Sequence, residues 1–295
     1  MLIGCGSSFN AALYGKHLFN IFEIFNTCIC VEASDFSEYD LPKKNTGVIC
    51  LTQSGETADV INACKLIKKI GNIPIIGITN VVGSLITTLC DFGVFQNSGR
   101  EIAVAASKSF TTQIVVLYLI VLWYSYHKNQ LKYKFERSIA IQIFTSLPSL
   151  VETTLEQNKE NLKELAFKIK DIQNLFIIAK GSTYAYAREL ALKIKELCYI
   201  HAEAFPAGEL KHGPLALINS TYEETNTLQT VVLVIILDNN HYDHLCVTVQ
   251  ELKSRKAKVI CITDCREKLL SLNIDYVIEI PHCKPFGPLL TIFPG

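Results

Sequence analysis

Residues 48–58, V-I-C-L-T-Q-S-G-E-T-A, join a wholly apolar run to a hydroxyl-rich turn and then to a helical pattern. A short apolar run that leads straight into a helix is typical of a strand buried on both faces of a parallel sheet. Residues 2–8, L-I-G-C-G-S-S, show the same order of strand, turn and helix start. The two stretches predict an α/β protein in which both turns lie at the carboxyl edge of one sheet.

Apolar runs alternate with helical patterns throughout the chain, which indicates mostly parallel sheets flanked by helices, as in flavodoxin-like and Rossmann-like three-layer sandwiches. In the first half we expect strands at 2–4, 28–32, 47–52, 74–78 and 92–95, and helices at 11–22, 58–70 and 108–126.

A second cycle starts at Leu175 and repeats the opening of the first. The matching segments are Gly6-Ser with Gly181-Ser, 48–52 with 234–238, and 76–79 with 260–263. Such self-similarity predicts two copies of one α/β domain. We expect the domains to be 1–127 and 171–295, with 128–170 as a helical connector.

The composition narrows the classes of partner. The 28 basic and 28 acidic residues leave no net field that would attract nucleic acid or an anionic membrane. The apolar stretch 114–126 is shorter than the roughly 20 residues of a membrane span and predicts a core helix. The 11 cysteines lie mostly in apolar runs or on helix faces, which favours buried thiols in the reducing cytoplasm. Their spacing matches no zinc knuckle, so we expect no metal site. We also expect no cofactor.

The turn at 52–57 carries a candidate phosphate site. Thr52, Ser54 and Thr57 supply hydroxyls, and the helix start supplies backbone N–H groups and a partial positive charge, a combination that suits a phosphate monoester. The alternative is a capping box in which Ser54 or Thr57 only closes the helix start. Hydroxyl-rich turns also occur at 4–8 and 107–109, and the three together favour one shared anion pocket.

A candidate acid–base group lies in the second half. Glu189, Lys193 and Glu196 follow the spacing i, i+4, i+7 and share one helix face. The alternative is a surface ladder of salt bridges. The segment 199–218 adds two histidines and several charged groups before an apolar run, and imidazole and carboxylate groups are suited to opening a sugar ring and moving a proton.

The motifs L-T-Q-S-G-E-T-A-D and G-C-G-S-S-F-N resemble the sugar isomerase (SIS) domain. The segment E-I-A-V-A-A-S-K-S-F-T-T-Q is similar to the glucosamine-6-phosphate synthase family, and the likeness runs from residue 1 to about 284. The resemblance implies binding of fructose-6-phosphate. The residues that would hold it are Ser7, Ser8, Thr52, Gln53, Ser54 and Thr57. That family usually has Ser where this chain has Ala106, which puts one hydroxyl contact in doubt.

The motifs E-x-x-L-K-x-K-E, I-H-A-E-A and G-E-L-K-H-G-P-L-A-L-I also resemble that family, in the same order. The resemblance implies that Glu196 moves a proton between C1 and C2, that His212 opens the ring, and that Glu189 and Lys193 line the site. It also implies a homodimer, because the matching histidine serves the neighbouring subunit's pocket.

Family members also have a glutaminase domain that supplies ammonia and a closing tail with a catalytic lysine, and neither is recognisable here. We therefore expect a fragment of an aminating isomerase that forms glucosamine-6-phosphate, with an exposed apolar face after its last strand. The competing hypotheses are a non-catalytic phosphosugar sensor or regulatory subunit and, more weakly, an ammonia-independent phosphosugar isomerase.

Overall fold

The structure is a computed structural model that describes residues 1–42, 45–128, 131–218, 231–284 and 286–294. The chain divides into two compact units, residues 1–137 and 138–295.

Unit 1 is built on a five-stranded parallel sheet with the order β2-β1-β3-β4-β5. Its strands are β1 Leu2–Gly4, β2 Cys30–Glu32, β3 Val48–Leu51, β4 Ile75–Thr79 and β5 Phe92–Phe95. Its helices are α1 Gly6–Ile21, α2 Ala58–Ile70, α3 Leu85–Leu89 and α4 Lys108–His127. β1 and β3 are fully buried, as their unbroken apolar runs predict.

The long helix α5, Lys134–Ile169, starts at the end of unit 1 and runs into unit 2. Unit 2 has a second five-stranded parallel sheet with the order β10-β9-β8-β6-β7. Its strands are β6 Asn174–Ala179, β7 His201–Pro206, β8 Val231–Ile236, β9 Lys258–Thr263 and β10 Tyr276–Glu279. Its remaining helices are α6 Thr183–Cys198, α7 Tyr242–Ser254 and α8 Gly287–Leu290.

The two sheets have the same topology. Taken from its other edge, the second sheet reads β7-β6-β8-β9-β10, which matches β2-β1-β3-β4-β5 strand for strand. The predicted α/β class with a repeated domain is confirmed.

Two elements differ from the sequence expectation in a way that concerns function. α1 begins at Gly6 and not at Ala11, so Ser7 and Ser8 lie inside its first turn. The segment 201–206, which was not among the expected strands, is the edge strand β7. Edge strands tolerate alternate polar side chains because only one side of the backbone is paired.

Two expectations about burial are corrected. The residues after β10 pack inward, since Phe286, Leu289 and Leu290 are at most 1% exposed, where the sequence suggested an uncovered apolar face. At the end of α6, Cys198 is exposed, where its place on a helix face favoured a buried thiol. All eleven cysteines are free thiols, and most of them are buried or partly buried.

Helix α4 is long and apolar enough to cross a membrane by length and composition alone. However, 56% of its most apolar window is buried within the protein. It packs against α1, where the hydroxyls of Tyr14 and Tyr118 lie 3.1 Å apart. The extent of burial agrees with the core helix that the sequence predicts here.

Candidate functional site

The chain changes direction across the first sheet at β1. From β1 it moves outward to β2, and from β2 it returns to β3 on the other side of β1. The register pairs Ile3 with Cys50, so the turns that follow β1 and β3 start side by side at the carboxyl edge. In open α/β sheets a ligand crevice forms at such a switch point, and both hydroxyl-rich turns of this unit lie there.

The turn after β3 has its own network of hydroxyl groups. Thr52 Oγ1 accepts the backbone N–H of Gly55 at 3.2 Å and lies 2.9 Å from Thr57 Oγ1. Ser54 Oγ accepts the N–H of Glu56 at 3.1 Å. Thr57 is the N-cap residue of α2, yet its side chain makes no capping bond. The structure therefore does not contain the capping box, and the absence of a side-chain cap leaves first-turn N–H groups of α2 available to other acceptors.

The same turn is fixed from behind by the loop after β4. Asn80 N donates to Gln53 O at 3.1 Å, and Ile86 N donates to Gly55 O at 3.1 Å. Gly55 has φ of +72°, and a Cβ atom there would lie 2.0 Å from Ser84 Oγ. Only glycine fits this position, because it combines a left-handed backbone with a close neighbour.

The turn after β1 is the start of α1 itself. Gly4 has no room for a side chain, since a Cβ atom would lie 2.9 Å from the backbone carbon of Ser8. Ser7 is half-buried and Ser8 is 8% exposed. Gln113 Nε2, from α4, donates to Ser8 Oγ at 3.0 Å. Nothing in the local sequence pointed to Gln113, because this contact depends on how α4 packs against α1.

The third hydroxyl-rich turn already holds an anion from the chain itself. The carboxylate of Glu101 accepts hydrogen bonds from Ser107 and Ser109, from backbone N–H groups at 3.4 and 3.1 Å and from hydroxyls at 3.1 and 2.8 Å. Burial raises the pKa of Glu101, but the hydrogen bonds from Ser109 and Ser107 outweigh burial and hold it below its ordinary value. Glu101 therefore caps α4, and its carboxylate already occupies the hydroxyl groups of this third turn.

The predicted acid–base residues of α6 are joined in one cluster. Lys193 Nζ lies 2.6 Å from Glu196 Oε2 and 3.5 Å from Glu189 Oε1. The side chain of Glu189 is 1% exposed and that of Lys193 is 15% exposed, whereas that of Glu196 is 32% exposed. A surface ladder would be open to water on all three residues, so the cluster is a buried ion pair with one accessible carboxylate.

His212 lies on a different element, at the end of a 3-10 helix over Ala207–His212. Leu210 anchors this segment in the core of unit 2, and the imidazole of His212 is exposed. Gly213 follows with φ of +142° and lets the chain turn away. Of the candidate residues, those for phosphate binding belong to unit 1 and those for acid–base chemistry to unit 2. Ala106 stands half-buried just before α4.

A second buried glutamine contacts the start of the turn after β3. No local pattern in the sequence points to this residue. Gln96 is 6% exposed, and its Nε2 donates to the backbone oxygen of Thr52 at 3.2 Å. It follows β5, two strands away from β3, so only the order of the sheet brings it close.

Comparison with known proteins agrees with the repeated fold. The model of the SIS domain matches residues 1–123 and 168–287. The glutamine–fructose-6-phosphate aminotransferase (isomerizing) of Chlorobaculum tepidum is 36% identical over 301 residues, which cover 100% of this chain and 46% of that protein. The protein of the same name from Aquifex aeolicus is 35% identical, over 100% of this chain and 47% of its own length. This chain thus spans about half the length of these relatives.

Among solved structures, the C-terminal domain of glucosamine-fructose-6-phosphate aminotransferase from Francisella tularensis superposes with a TM-score of 0.90. The two chains are 29% identical, and the match covers 99% of this chain and 80% of that one.

Proposed function

Because this chain belongs to the SIS domain family, we propose that it is the isomerase module of a glutamine–fructose-6-phosphate transaminase (isomerizing). In this role it binds fructose-6-phosphate and converts it, with ammonia, to glucosamine-6-phosphate for amino sugar and UDP-N-acetylglucosamine biosynthesis. The proposal includes the reducing cytoplasm as its compartment, which suits a chain with eleven free thiols.

One observation carries the proposal, namely that the hydroxyl-rich turns after β1 and β3 start side by side at the carboxyl edge of the sheet. Each turn leads into a helix N-terminus, that of α1 or α2, and the turns supply hydroxyl groups and no positive side chain. Such a site fits a phosphate ester, because N–H and O–H donors complete the shell of an anion without a buried cation. The residues assigned to the phosphate and nearby hydroxyls are Ser7, Ser8, Thr52, Gln53, Ser54 and Thr57.

The chemistry is assigned to unit 2. His212 opens the sugar ring by moving a proton between the ring oxygen and the anomeric hydroxyl. Ammonia adds to the C2 carbonyl and water leaves. Glu196 then takes a proton from C1 and returns it to C2, while the proton of the C1 hydroxyl passes to the imine nitrogen, so the ketose imine becomes an amino aldose. Lys193 and Glu189 hold the carboxylate of Glu196 in position, and the 2.6 Å ion pair supports this assignment.

The test mixes the purified chain with fructose-6-phosphate and an ammonium salt and measures glucosamine-6-phosphate. We expect turnover that falls at least 100-fold in Glu196→Gln, since general acid–base catalysis contributes on the order of 10²–10⁴-fold. Binding of the sugar phosphate should be retained in this variant. The control is Glu156→Gln, an exposed carboxylate on α5. Binding without turnover in the unmodified chain would contradict the enzyme proposal and fit a sensor or regulatory subunit.

We also propose that the module acts as a homodimer in which His212 serves the partner's sugar. The exposure of the His212 imidazole supports this assignment. Mixed subunits test it. At a fructose-6-phosphate concentration too low to occupy Thr57→Val sites, the His212→Ala and Thr57→Val chains should each be nearly inactive. Random re-pairing should then restore about a quarter of the original activity, because half of the dimers contain one intact site. No recovery on mixing would contradict a role across the subunit boundary.

A further inference from the structure

Gln113 is a buried polar residue in the second turn of α4, and its contact is to Ser8 of the phosphate crevice. Its side chain is 1% exposed, and the Nε2 to Ser8 Oγ distance is 3.0 Å. The two residues are 105 positions apart in sequence. A polar side chain this deep in a helix–helix contact costs free energy unless its hydrogen bonds are made.

The hydrogen-bond pattern fixes which way the amide points. Gln113 Oε1 is buried and has no hydrogen-bond partner among the described residues. In the reverse orientation the buried amide nitrogen would be the atom without a partner, and orphaned N–H groups are rarer in proteins than under-satisfied carbonyl oxygens. The amide of Gln113 therefore donates to Ser8.

This orientation determines what the Ser8 hydroxyl can do. One lone pair of Ser8 Oγ is occupied by the N–H of Gln113, so the hydroxyl proton must point towards another acceptor. The described residues provide no acceptor for this proton. Ser8 sits in the first turn of α1, at the crevice where donors converge.

We infer that Gln113 is a positioning residue, which acts through Ser8 by turning the Ser8 hydroxyl into a dedicated donor to the phosphate. The inference rests on the proposed phosphate site. Without Gln113 the hydroxyl is free to rotate, and it spends part of its time with its lone pairs directed at the anion. Gln113 itself touches no substrate.

A double-mutant cycle tests this role. Calorimetry measures the affinity of the full chain for fructose-6-phosphate and for inorganic phosphate, in the unmodified protein, Ser8→Ala, Gln113→Leu and the double variant. One hydrogen bond to a charged group corresponds to a loss of about 10- to 100-fold for Ser8→Ala. We expect roughly 10-fold for Gln113→Leu. The double variant should bind no more than about twofold more weakly than Ser8→Ala, because Gln113 has no effect once Ser8 is gone.

The matched control is Ser125→Ala, a fully buried hydroxyl at the far end of the same helix that donates to Leu122 O. It should leave both affinities unchanged. If Gln113→Leu does not fold, Gln113→Met keeps the length of the side chain and removes the amide, and the same cycle applies.

The outcomes separate this inference from the proposed function. If Ser8→Ala weakens binding and Gln113→Leu does not, or if the two losses multiply, the positioning role is wrong and the phosphate site stands. If the unmodified chain binds neither ligand, or Ser8→Ala binds as tightly as the unmodified chain, the phosphate assignment fails and the inference with it.

Discussion

The hydroxyl oxygens of Thr52 and Thr57 lie 2.9 Å apart and close the turn that follows β3. Thr52 Oγ1 also accepts the N–H of Gly55. Two hydroxyls carry two protons, and their mutual hydrogen bond uses one. The other proton remains available to a ligand, so this turn offers a hydroxyl donor as well as backbone N–H groups.

Thr57→Val should weaken binding of fructose-6-phosphate about 10- to 100-fold, because it removes a hydroxyl donor to a charged group and keeps the branched shape. Ser54→Ala should act in the same direction. Calorimetry provides the measurement, and Thr88→Val, an exposed threonine of α3, is the control. Undiminished affinity in both Thr57→Val and Ser54→Ala would show that the phosphate does not bind here.

Gly55→Ala should destabilise unit 1 by more than the cost of a strained backbone alone. A left-handed or similarly unusual conformation costs about 1–3 kcal/mol, and the added Cβ would also collide with Ser84, 2.0 Å away. Gly71→Ala is the matched control, since Gly71 has φ of +80° but no atom within 4 Å of a Cβ.

Scanning calorimetry should find a larger fall in melting temperature for Gly55→Ala than for Gly71→Ala. Adding Ser84→Gly to Gly55→Ala should recover part of the loss. Equal losses for the two glycines would mean that contact with Ser84 plays no part.

Glu101→Gln should lower the thermal stability of the chain at neutral pH, by about 1 kcal/mol as for other helix caps. The pKa of Glu101 is lowered in the folded protein, so its stabilisation is present above the unfolded value, near 4.3, and is lost as the pH falls through the folded pKa. The melting temperatures of the unmodified protein and Glu101→Gln should therefore become equal as the pH is lowered from 7 to 3. A difference that stays constant over this range would contradict a capping role for the carboxylate.

Cys198 should react fastest of the eleven thiols with a thiol reagent such as dithionitrobenzoate. It is the exposed cysteine, whereas burial raises the pKa of thiols such as Cys5, Cys246 and Cys283. The expected time course has one rapid equivalent followed by slow reaction. Cys198→Ser should remove the rapid phase, and a rapid phase that persists in this variant would contradict the burial of the others.

Local sequence patterns are enough to define the class of the fold and its duplication. Each strand of unit 1 is a local apolar run, and α2 and α4 carry their own helical patterns, so they could be predicted from neighbours in the chain. The repeat of Gly6-Ser at Gly181-Ser likewise needs no third dimension. The family resemblance then gave the candidate residues their roles, and those roles stay predictions.

Which polar groups contact one another depends on how whole helices and strands pack. The packing of α4 on α1 brings Gln113 to Ser8, and the order of the first sheet brings Gln96 to Thr52. In the folded chain, Glu101 also accepts the hydrogen bonds of the third hydroxyl-rich turn, and Glu189 is buried. Hydrophobic periodicity shows which face of a helix or strand is buried, but it does not show which distant side chain that face contacts. That choice is made by the packing of whole elements.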